Sequence, residues 1–363
     1  MRPLTGHGVR GIGRVTEGYV AALLAEEPAW AAEHVRLLVA PGQHVEQPPG
    51  MPQPWVTRRP GPMPQHLAPL TAWAADRWVT RGQRPAFWHI TDPTRPLGPL
   101  PDDRTIVTVH DFAPLSTPAL LASMRATRRL AYRRYLRLIG RARIVACGSE
   151  ATAAEAHERF CVPASRIRIL VPWVHADESP AQPPNGDQRP SELLLVGVSG
   201  PHKRFDLAIR TLAVLRQRGM GLDLTVAGFQ TPSEGARLLA LARDVGVGSE
   251  VVLLGHVKPG ELSALYARSI TLALSTLEGF GLTPVEAILS GGRVAAVDIP
   301  AYRDTVGEVA VFAEEATPEA VAGAVEAALA TPPDPVRVTA LGDRFSARAC
   351  ATSLRAAYEA ALG

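Results

Sequence analysis

Short runs of aliphatic and β-branched residues alternate along this chain with longer stretches of Ala, Leu and Arg at helical spacing. The apolar runs VRLLVA (35–40), TIVTVHD (105–111), RIVACG (143–148), LLLVGV (193–198), LDLTVAG (222–228), EVVLLG (250–255) and ITLALS (270–275) read as strands. Most lack the apolar/polar alternation of a sheet with one wet face, so they are expected to be buried on both sides, as parallel strands under helices are. The strand–helix alternation predicts an α/β fold built of βαβ units, in two doubly wound, Rossmann-like domains. Such domains facing each other would leave a cleft between the C-terminal ends of their strands, where ligands bind.

Residues 176–191 (ADESPAQPPNGDQRPS) are poor in apolar positions and read as a linker between a first domain, 1–175, and a second, 192–345. Residues 41–64 hold eight prolines and are expected to form a long surface loop of the first domain.

With 363 residues, 46% of them hydrophobic and 20% charged, the chain can bury two cores. A net charge of +3 points to no nucleic-acid partner, although the excess of base favours anionic ligands. Three widely spaced cysteines, Cys147, Cys161 and Cys350, match no ligand or redox spacing and fit a reducing cytoplasm. Neither a charged-then-apolar leader nor an apolar run of about 18 residues occurs, so the expectation is a cytoplasmic protein, soluble or peripheral.

Charge and glycine concentrate at three places. GHGVRG (6–11) has the spacing of a dinucleotide fingerprint, but only MRPLT precedes it where a strand is required. Its glycines, with Gly13, fit either an anionic group held near Gly11 and Gly13 at a helix N-terminus or a plain turn into a helix. In LLLVGVSGPHKRFDLAIRTLAVLR (193–216), Lys203 and Arg204 sit in a strand-to-helix loop, a point charge and a fork suited to a diphosphate. In STLEGFGLTPVEA (275–287), Glu278 stands in the loop after a strand, Gly279, Phe280 and Gly281 turn the chain, and Thr283-Pro284 reads as N-cap and N1 of a helix. Glu286 then falls at N3, where it either completes a capping box or meets a ligand. A carboxylate such as Glu278 beside an anion site is costly unless it contacts hydroxyls or a developing cation, and a sugar supplies both.

LEGFGLTPVEA resembles the E-x7-E motif of the family 4 glycosyltransferases, retaining enzymes of the GT-B fold. The similarity runs in order along the chain: RGIGRVTEGYVAALL to the family's first Gly-rich loop and helix, VTVHDFAPL to its His loop, VGVSGPHKRFDLAI to its phosphate loop, LLGHVKPGELSALYARS to the segment before E-x7-E. FSARACATSLRAAYEAAL is similar to the closing helix, which in this fold returns to the first domain, here 346–363. The resemblance implies a hexosyltransferase moving a sugar from a nucleotide-sugar donor, GDP-mannose or a UDP-sugar, to a sugar, lipid-linked or small-molecule acceptor, with no metal or other cofactor. Lys203 with Arg204 would neutralise the donor diphosphate, helped by amides of Gly279, Phe280, Gly281 and Leu282. Glu286 would bind the ribose and Glu278 the donor sugar. His110, with Asp111 beside it, would approach the transferred sugar from the first domain, and His256 and Val257 would line the base pocket. A His at a strand end is otherwise a hydrogen-bonded loop residue. No D-x-D occurs, in keeping with cations and amides replacing a metal.

Three departures stand out. The family has a full strand before its Gly-rich loop, whereas here the loop lies within about ten residues of Met1; either the true start lies upstream, where coding sequence is expected to supply that strand, or the first sheet is short of a central strand. The Arg usual before the phosphate-loop Lys is replaced in the region of Val198 and Ser199, and Asp304 stands where the family has Glu. Residues 125–143, with eight arginines among Leu, Ile and Tyr, read either as a helix on anionic lipid at the inner membrane face or as a solvated Arg-rich helix. Outside the transferase class, a nucleotide-sugar epimerase, a phosphorylase or a silent sugar-nucleotide-binding subunit could share the architecture.

Overall fold

A computed structural model of the protein describes residues 11–35, 38–39, 55–56, 86–91, 102–117, 121–122, 124, 126–174, 190–198, 200–228 and 230–363. The chain divides into two compact units, Met1–Trp173 with Phe345–Gly363, and Val174–Arg344. The linker expected at 176–191 lies outside the described residues apart from Pro190 and Ser191.

The first unit carries helices α1 (Gly11–Glu26) and α2 (Pro28–His34), then strands β1 (Leu38–Val39), β2 (Trp55–Val56), β3 (Trp88–Ile90) and β4 (Thr105–Val109). There follow α3 (Ala113–Ser116), α4 (Ala126–Arg141), β5 (Ile144–Cys147), α5 (Glu150–Phe160) and β6 (Ile167–Ile169). Strands β3-β4-β5-β6 form a parallel sheet in that order, and β1 pairs with β2. Trp55 and Val56 lie inside the Pro-rich stretch expected to be loop. Two residues of strong β preference between prolines suffice for a short parallel pair. Every residue of β4 and β5 is buried, which is why their sequences are apolar throughout.

In the second unit the elements alternate strictly: β7 (Glu192–Val196), α6 (Phe205–Gln217), β8 (Asp223–Ala227), α7 (Pro232–Asp244), β9 (Val251–Gly255), α8 (Pro259–Arg268) and β10 (Ser269–Ala273). They continue through α9 (Leu282–Leu289), β11 (Arg293–Val297), α10 (Pro300–Val306), β12 (Val311–Ala313), α11 (Pro318–Ala330) and α12 (Pro335–Arg344). The six strands are all parallel, in the order β12-β11-β10-β7-β8-β9. From β7 the chain moves outward to one edge, and from β10 outward to the other, so the order reverses between β7 and β10.

The observed strands are shorter than the apolar runs that announced them: TIVTVHD pairs only to Val109 and ITLALS only to Ala273. The remaining residues become loop. Strands β3, β6, β11 and β12 were not anticipated. In β11, RVAAV carries two alanines that suit a helix as well, and β6 is half-buried with Arg168 at its centre.

The final helix, α13 (Ala347–Leu362), packs along α1 in the first unit. Cys350, Ala351, Leu354, Ala357, Tyr358 and Ala361 are buried, a single stripe at helical spacing. Ser346 caps its start by accepting from the Ala349 amide at 3.2 Å. Tyr358 reaches the sheet: its hydroxyl lies 2.9 Å from His89 Nδ1 on β3, while His89 Nε2 lies 2.7 Å from Thr108 Oγ1 on β4. The ring of Tyr358 stacks on Trp30 at 6.0 Å, and Arg355 pairs with Glu27 at 3.1 Å.

Desolvation, reinforced by the neighbouring His110, lowers the pKa of His89 to about 3, so the folded imidazole is neutral with hydroxyl partners on both nitrogens. Unfolding restores the ordinary value near 6.5, so the unfolded chain takes up a proton that the folded chain refuses. Stability linked to His89 is therefore fully present above about pH 6.5 and drains away as pH falls towards 3. Urea unfolding between pH 7 and 5 should show the His89→Gln variant less stable throughout but with a flatter slope, by up to about 1.4 kcal/mol per pH unit; equal slopes would refute the assignment.

Candidate active site at the sheet reversal

In a parallel sheet the loops leaving two neighbouring strands usually close over each other. Where the strand order reverses, the following helices diverge and a crevice opens. Here that crevice lies beyond β7 and β10, paired through Ile270 with Leu193 and Thr271 with Leu194. The loop after β7 contains Lys203, and the loop after β10 contains Glu278.

Backbone geometry holds the first loop tightly. Gly228, at φ +124°, approaches Gly197 so closely that a Cβ there would lie 2.0 Å from the Gly197 carbonyl oxygen. Gly200 to Lys203 close a 3-10 turn through the Lys203 amide and the Gly200 carbonyl at 2.9 Å. Arg204 then enters the left-handed region at φ 49°, unusual for a residue with a Cβ, and α6 begins. One backbone bond ties the two loops, from the Thr276 amide to the His202 carbonyl at 2.9 Å. It places Lys203 opposite Glu278, and the Lys203 ammonium donates to the Glu278 carboxylate, with 24% and 19% of the two side chains exposed.

The second loop turns sharply at Gly281, φ +86°, which caps α9. A Cβ on Gly281 would lie 2.7 Å from the ring of Tyr302, so the turn is wrapped against an aromatic side chain from the loop and helix after β11. Tyr302 is buried, its ring against this turn. Burial, and then the charge of Glu278, push its phenol well above the usual range, so it stays protonated. Neither Ser275 nor Tyr302 was picked out in the sequence. Ser275 looked like a strand residue, and Tyr302 falls on the buried stripe of a short helix, where an aromatic reads as core.

The helix after this turn starts at Leu282, two residues before Pro284, so Thr283 is not its N-cap and the expected capping box does not form. The reason is conformational: Gly281 takes the left-handed cap position, and the first helical turn begins immediately after it. Glu286 thus sits in the second turn, 5% exposed, and accepts from the Tyr266 hydroxyl at 3.1 Å. The first-turn amides of α9, led by Leu282, have no acceptor within the helix and face the end at which the macrodipole is positive.

Other expected residues lie elsewhere. Arg204 Nε is 3.4 Å from Asp206 Oδ1, and the side chain lines a cleft of about 720 Å³ with Pro201, Thr231, Glu234 and Arg237. Lys203 and Arg204 therefore engage different carboxylates instead of forming one clamp. His256, exposed, and Val257, half-buried, follow the edge strand β9, two strands from β7. In the first unit, His110 ends β4 with Nε2 2.6 Å from the Thr91 carbonyl, to which it donates, and Asp111 accepts from the Ala113 amide at 2.8 Å. Gly11 and Gly13 occupy the first turn of α1, while the rest of the Gly-rich loop, 1–10, lies outside the described residues, as does the strand expected upstream of it. Among the described residues no group of three or more His, Cys, Asp or Glu side chains could hold a metal ion.

The alternating unit, its reversal and the Lys203–Glu278 pair coincide with a sequence match: residues 178–343 fit the family model described as glycosyl transferases group 1. No curated protein sequence matches the chain. Among solved structures it is similar to WaaG, a glycosyltransferase involved in lipopolysaccharide biosynthesis, at 20% identity and TM-score 0.67, covering 96% of this chain and 95% of that one. It is also similar to sucrose-phosphate synthase from Thermosynechococcus elongatus, at 18% identity and TM-score 0.63, covering 96% and 93%. HepE of Anabaena, in complex with UDP and glucose, matches at 18% identity and TM-score 0.53 over 70% of this chain and 71% of that one. The chain thus has the two-unit parallel α/β architecture of the GT-B fold.

Gly281 is where this site tolerates least change. Gly281→Ala combines a left-handed backbone with a clash against Tyr302 and should cost about 1–3 kcal/mol, measured as a lowered urea midpoint; a variant as stable as the wild type would show that the turn is not wrapped on the tyrosine.

Proposed function

We propose that the protein is a retaining glycosyltransferase that moves a hexose from a nucleotide-sugar donor to an acceptor hydroxyl without a metal ion, in the assembly of an envelope glycan, a glycolipid or a natural product. The observation that carries this reading is the Lys203–Glu278 pair at the reversal between β7 and β10. The bond to be broken joins an anomeric carbon to a diphosphate, so the protein's main task is to receive charge on the departing diphosphate. Lys203, at the start of α6, and the first-turn amides of α9 supply positive potential at one spot. Glu278 beside them is suited to a sugar, whose hydroxyls donate to a carboxylate and whose oxocarbenium character it would favour. Glu286, buried in the second turn of the same helix, is assigned to the ribose. His110 and Asp111 are assigned to the acceptor side in the first unit. Binding of UDP and glucose by HepE supports the choice of donor class.

Calorimetry with UDP and GDP tests the donor half. Either nucleotide should bind the wild-type protein, and Lys203→Met should weaken that binding about 10- to 100-fold, the worth of one hydrogen bond to a charged group. Unchanged affinity in the variant would remove Lys203 from the site. Release of free nucleoside diphosphate from a nucleotide sugar only when an acceptor is added would separate transfer from epimerisation and phosphorolysis.

The acceptor side has a surface suited to an anionic membrane. Helix α4 buries Ala131, Tyr132, Tyr135 and Ile139 against the first unit and exposes Arg133, Arg134, Arg137 and Arg141, with Leu130 60% exposed beside them. No acidic residue interrupts this helix. Among the described residues no helix is long and apolar enough to cross a membrane, so contact would be peripheral, through guanidinium groups on lipid phosphates. Sedimentation with vesicles of anionic phosphatidylglycerol should carry the protein down, and neutral vesicles should not. Reversing Arg133, Arg134 and Arg137 to Glu should weaken the partition at least a hundred-fold at about 1 kcal/mol per lost arginine; equal partition onto neutral lipid would discard the contact.

A further inference from the structure

The ammonium of Lys203 and the carboxylate of Glu278 meet across two loops whose backbones are tied together. Lys203 closes the turn begun at Gly200, and the carbonyl of its neighbour His202 accepts from the Thr276 amide, two residues before Glu278, at 2.9 Å. Three residues after Glu278 the chain turns at Gly281, so close to the Tyr302 ring that a Cβ would not fit. With the backbone held on both sides of the pair, what can change is the partner each side chain takes. Arg204, the next cation along, is turned to Asp206 at 3.4 Å, and Lys203 supplies the counter-charge of Glu278. We propose that Glu278 makes the site discriminate between a nucleotide sugar and the same nucleotide without its sugar. It holds Lys203 back from a bare diphosphate and releases it when sugar hydroxyls take the ammonium's place on the carboxylate. This rests on the nucleotide-sugar reading above and extends it from holding the donor to letting the spent nucleotide go.

A diphosphate that enters alone must draw the ammonium away from Glu278 and leave a carboxylate, 19% exposed, without its counter-charge. Removing the partner of a desolvated charge costs more than an exposed ion pair is worth, and the stranded carboxylate then repels the anion that displaced it. A nucleotide sugar brings its own remedy. Its hydroxyls are neutral donors that satisfy the carboxylate oxygens without competing for the diphosphate, so Lys203 is freed to meet the phosphates. Once the sugar has passed to the acceptor, Glu278 has lost those donors and takes the ammonium back. The hold on the remaining nucleoside diphosphate weakens as a result. Lys203, 24% exposed, keeps the freedom to move between the two anions, which a fully sealed pair would lack.

Calorimetry on the full chain without acceptor, comparing UDP with UDP-glucose and GDP with GDP-mannose, tests the assignment. Glu278→Gln keeps the shape of the side chain and an acceptor oxygen but not the charge, so its thermal midpoint should stay close to that of the wild type. It should bind the free nucleotide roughly ten-fold more tightly than the wild type does, because no ion pair has to be broken. Its affinity for the nucleotide sugar should change by less than about three-fold, since the gain from a free Lys203 is offset by a weaker acceptor for the sugar hydroxyls. Glu278→Ala, which removes the carboxylate altogether, should show the same gain for the free nucleotide. In a Lys203→Met background that gain should shrink by at least about three-fold, the coupling expected of two residues in contact. Free-nucleotide affinity that is unchanged or weaker in both Glu278 variants would overturn the proposal and leave Glu278 a sugar contact only. An equal gain for nucleotide and nucleotide sugar, or a gain undiminished without Lys203, would overturn it as well, because plain repulsion of the diphosphate predicts that pattern. Wild-type protein that bound none of the four ligands would bring down the nucleotide-sugar reading and this assignment with it, a result distinct from binding without the expected gain.

Discussion

The pairing of β7 with β10 is the constraint on which the second unit turns. Both strands are apolar because both are covered on two faces, and a parallel neighbour requires each to be followed by a crossover helix. The crossover from β7 leads towards β9 and that from β10 towards β12, so the helices α6 and α9 leave the sheet in opposite directions. Between them the rim stays open. No other pair of adjacent strands in this sheet has that property, and the only ion pair that joins loops of two adjacent strands at that rim, Lys203 with Glu278, sits there among the described residues.

Much of the site is backbone. The Thr276 amide bonded to the His202 carbonyl, the close approach of Gly228 to Gly197 and the left-handed turns at Arg204 and Gly281 set where the charged groups stand. Such geometry costs conformational freedom and strain, offset by the packing beneath it: Leu193, Leu194 and Leu195 on β7 and Ile270, Leu272 and Ala273 on β10 are all buried. The charged pair adds a different property. In the absence of a ligand, Lys203 and Glu278 neutralise each other in a partly desolvated place, and a bound anion must compete for the ammonium.

In the first unit the corresponding work is done by a chain terminus. Helix α13 brings Tyr358 onto His89 and Arg355 onto Glu27, closing a polar connection among β3, β4, α13 and α2 that hydrophobic packing alone would not specify. His110 follows the end of β4 and its ring donates to the carbonyl of Thr91, the residue after β3, so a backbone acceptor orients the ring.

The sequence by itself determined the class of fold and the place of the phosphate loop. Uniformly apolar runs such as LLLVGV and ITLALS can be stable only when both faces are covered, and glycine, lysine and glutamate at the ends of two such runs mark a strand-end site before any coordinates exist. It did not determine helix boundaries or partners. Thr283 and Glu286 have capping-box spacing, yet the helix starts earlier because the left-handed turn at Gly281, wrapped on Tyr302, is a tertiary matter. Adjacent Lys203 and Arg204 look equivalent on paper, but one left-handed residue sends them to Glu278 and Asp206. Tyr302 reads as an ordinary core aromatic 24 positions after Glu278, and only the sheet order, which sets β11 beside β10, brings its ring against the Gly281 turn that follows that carboxylate. Local spacing encodes what a residue can do with its near neighbours in the chain; which distant group it meets is decided by how the strands are ordered.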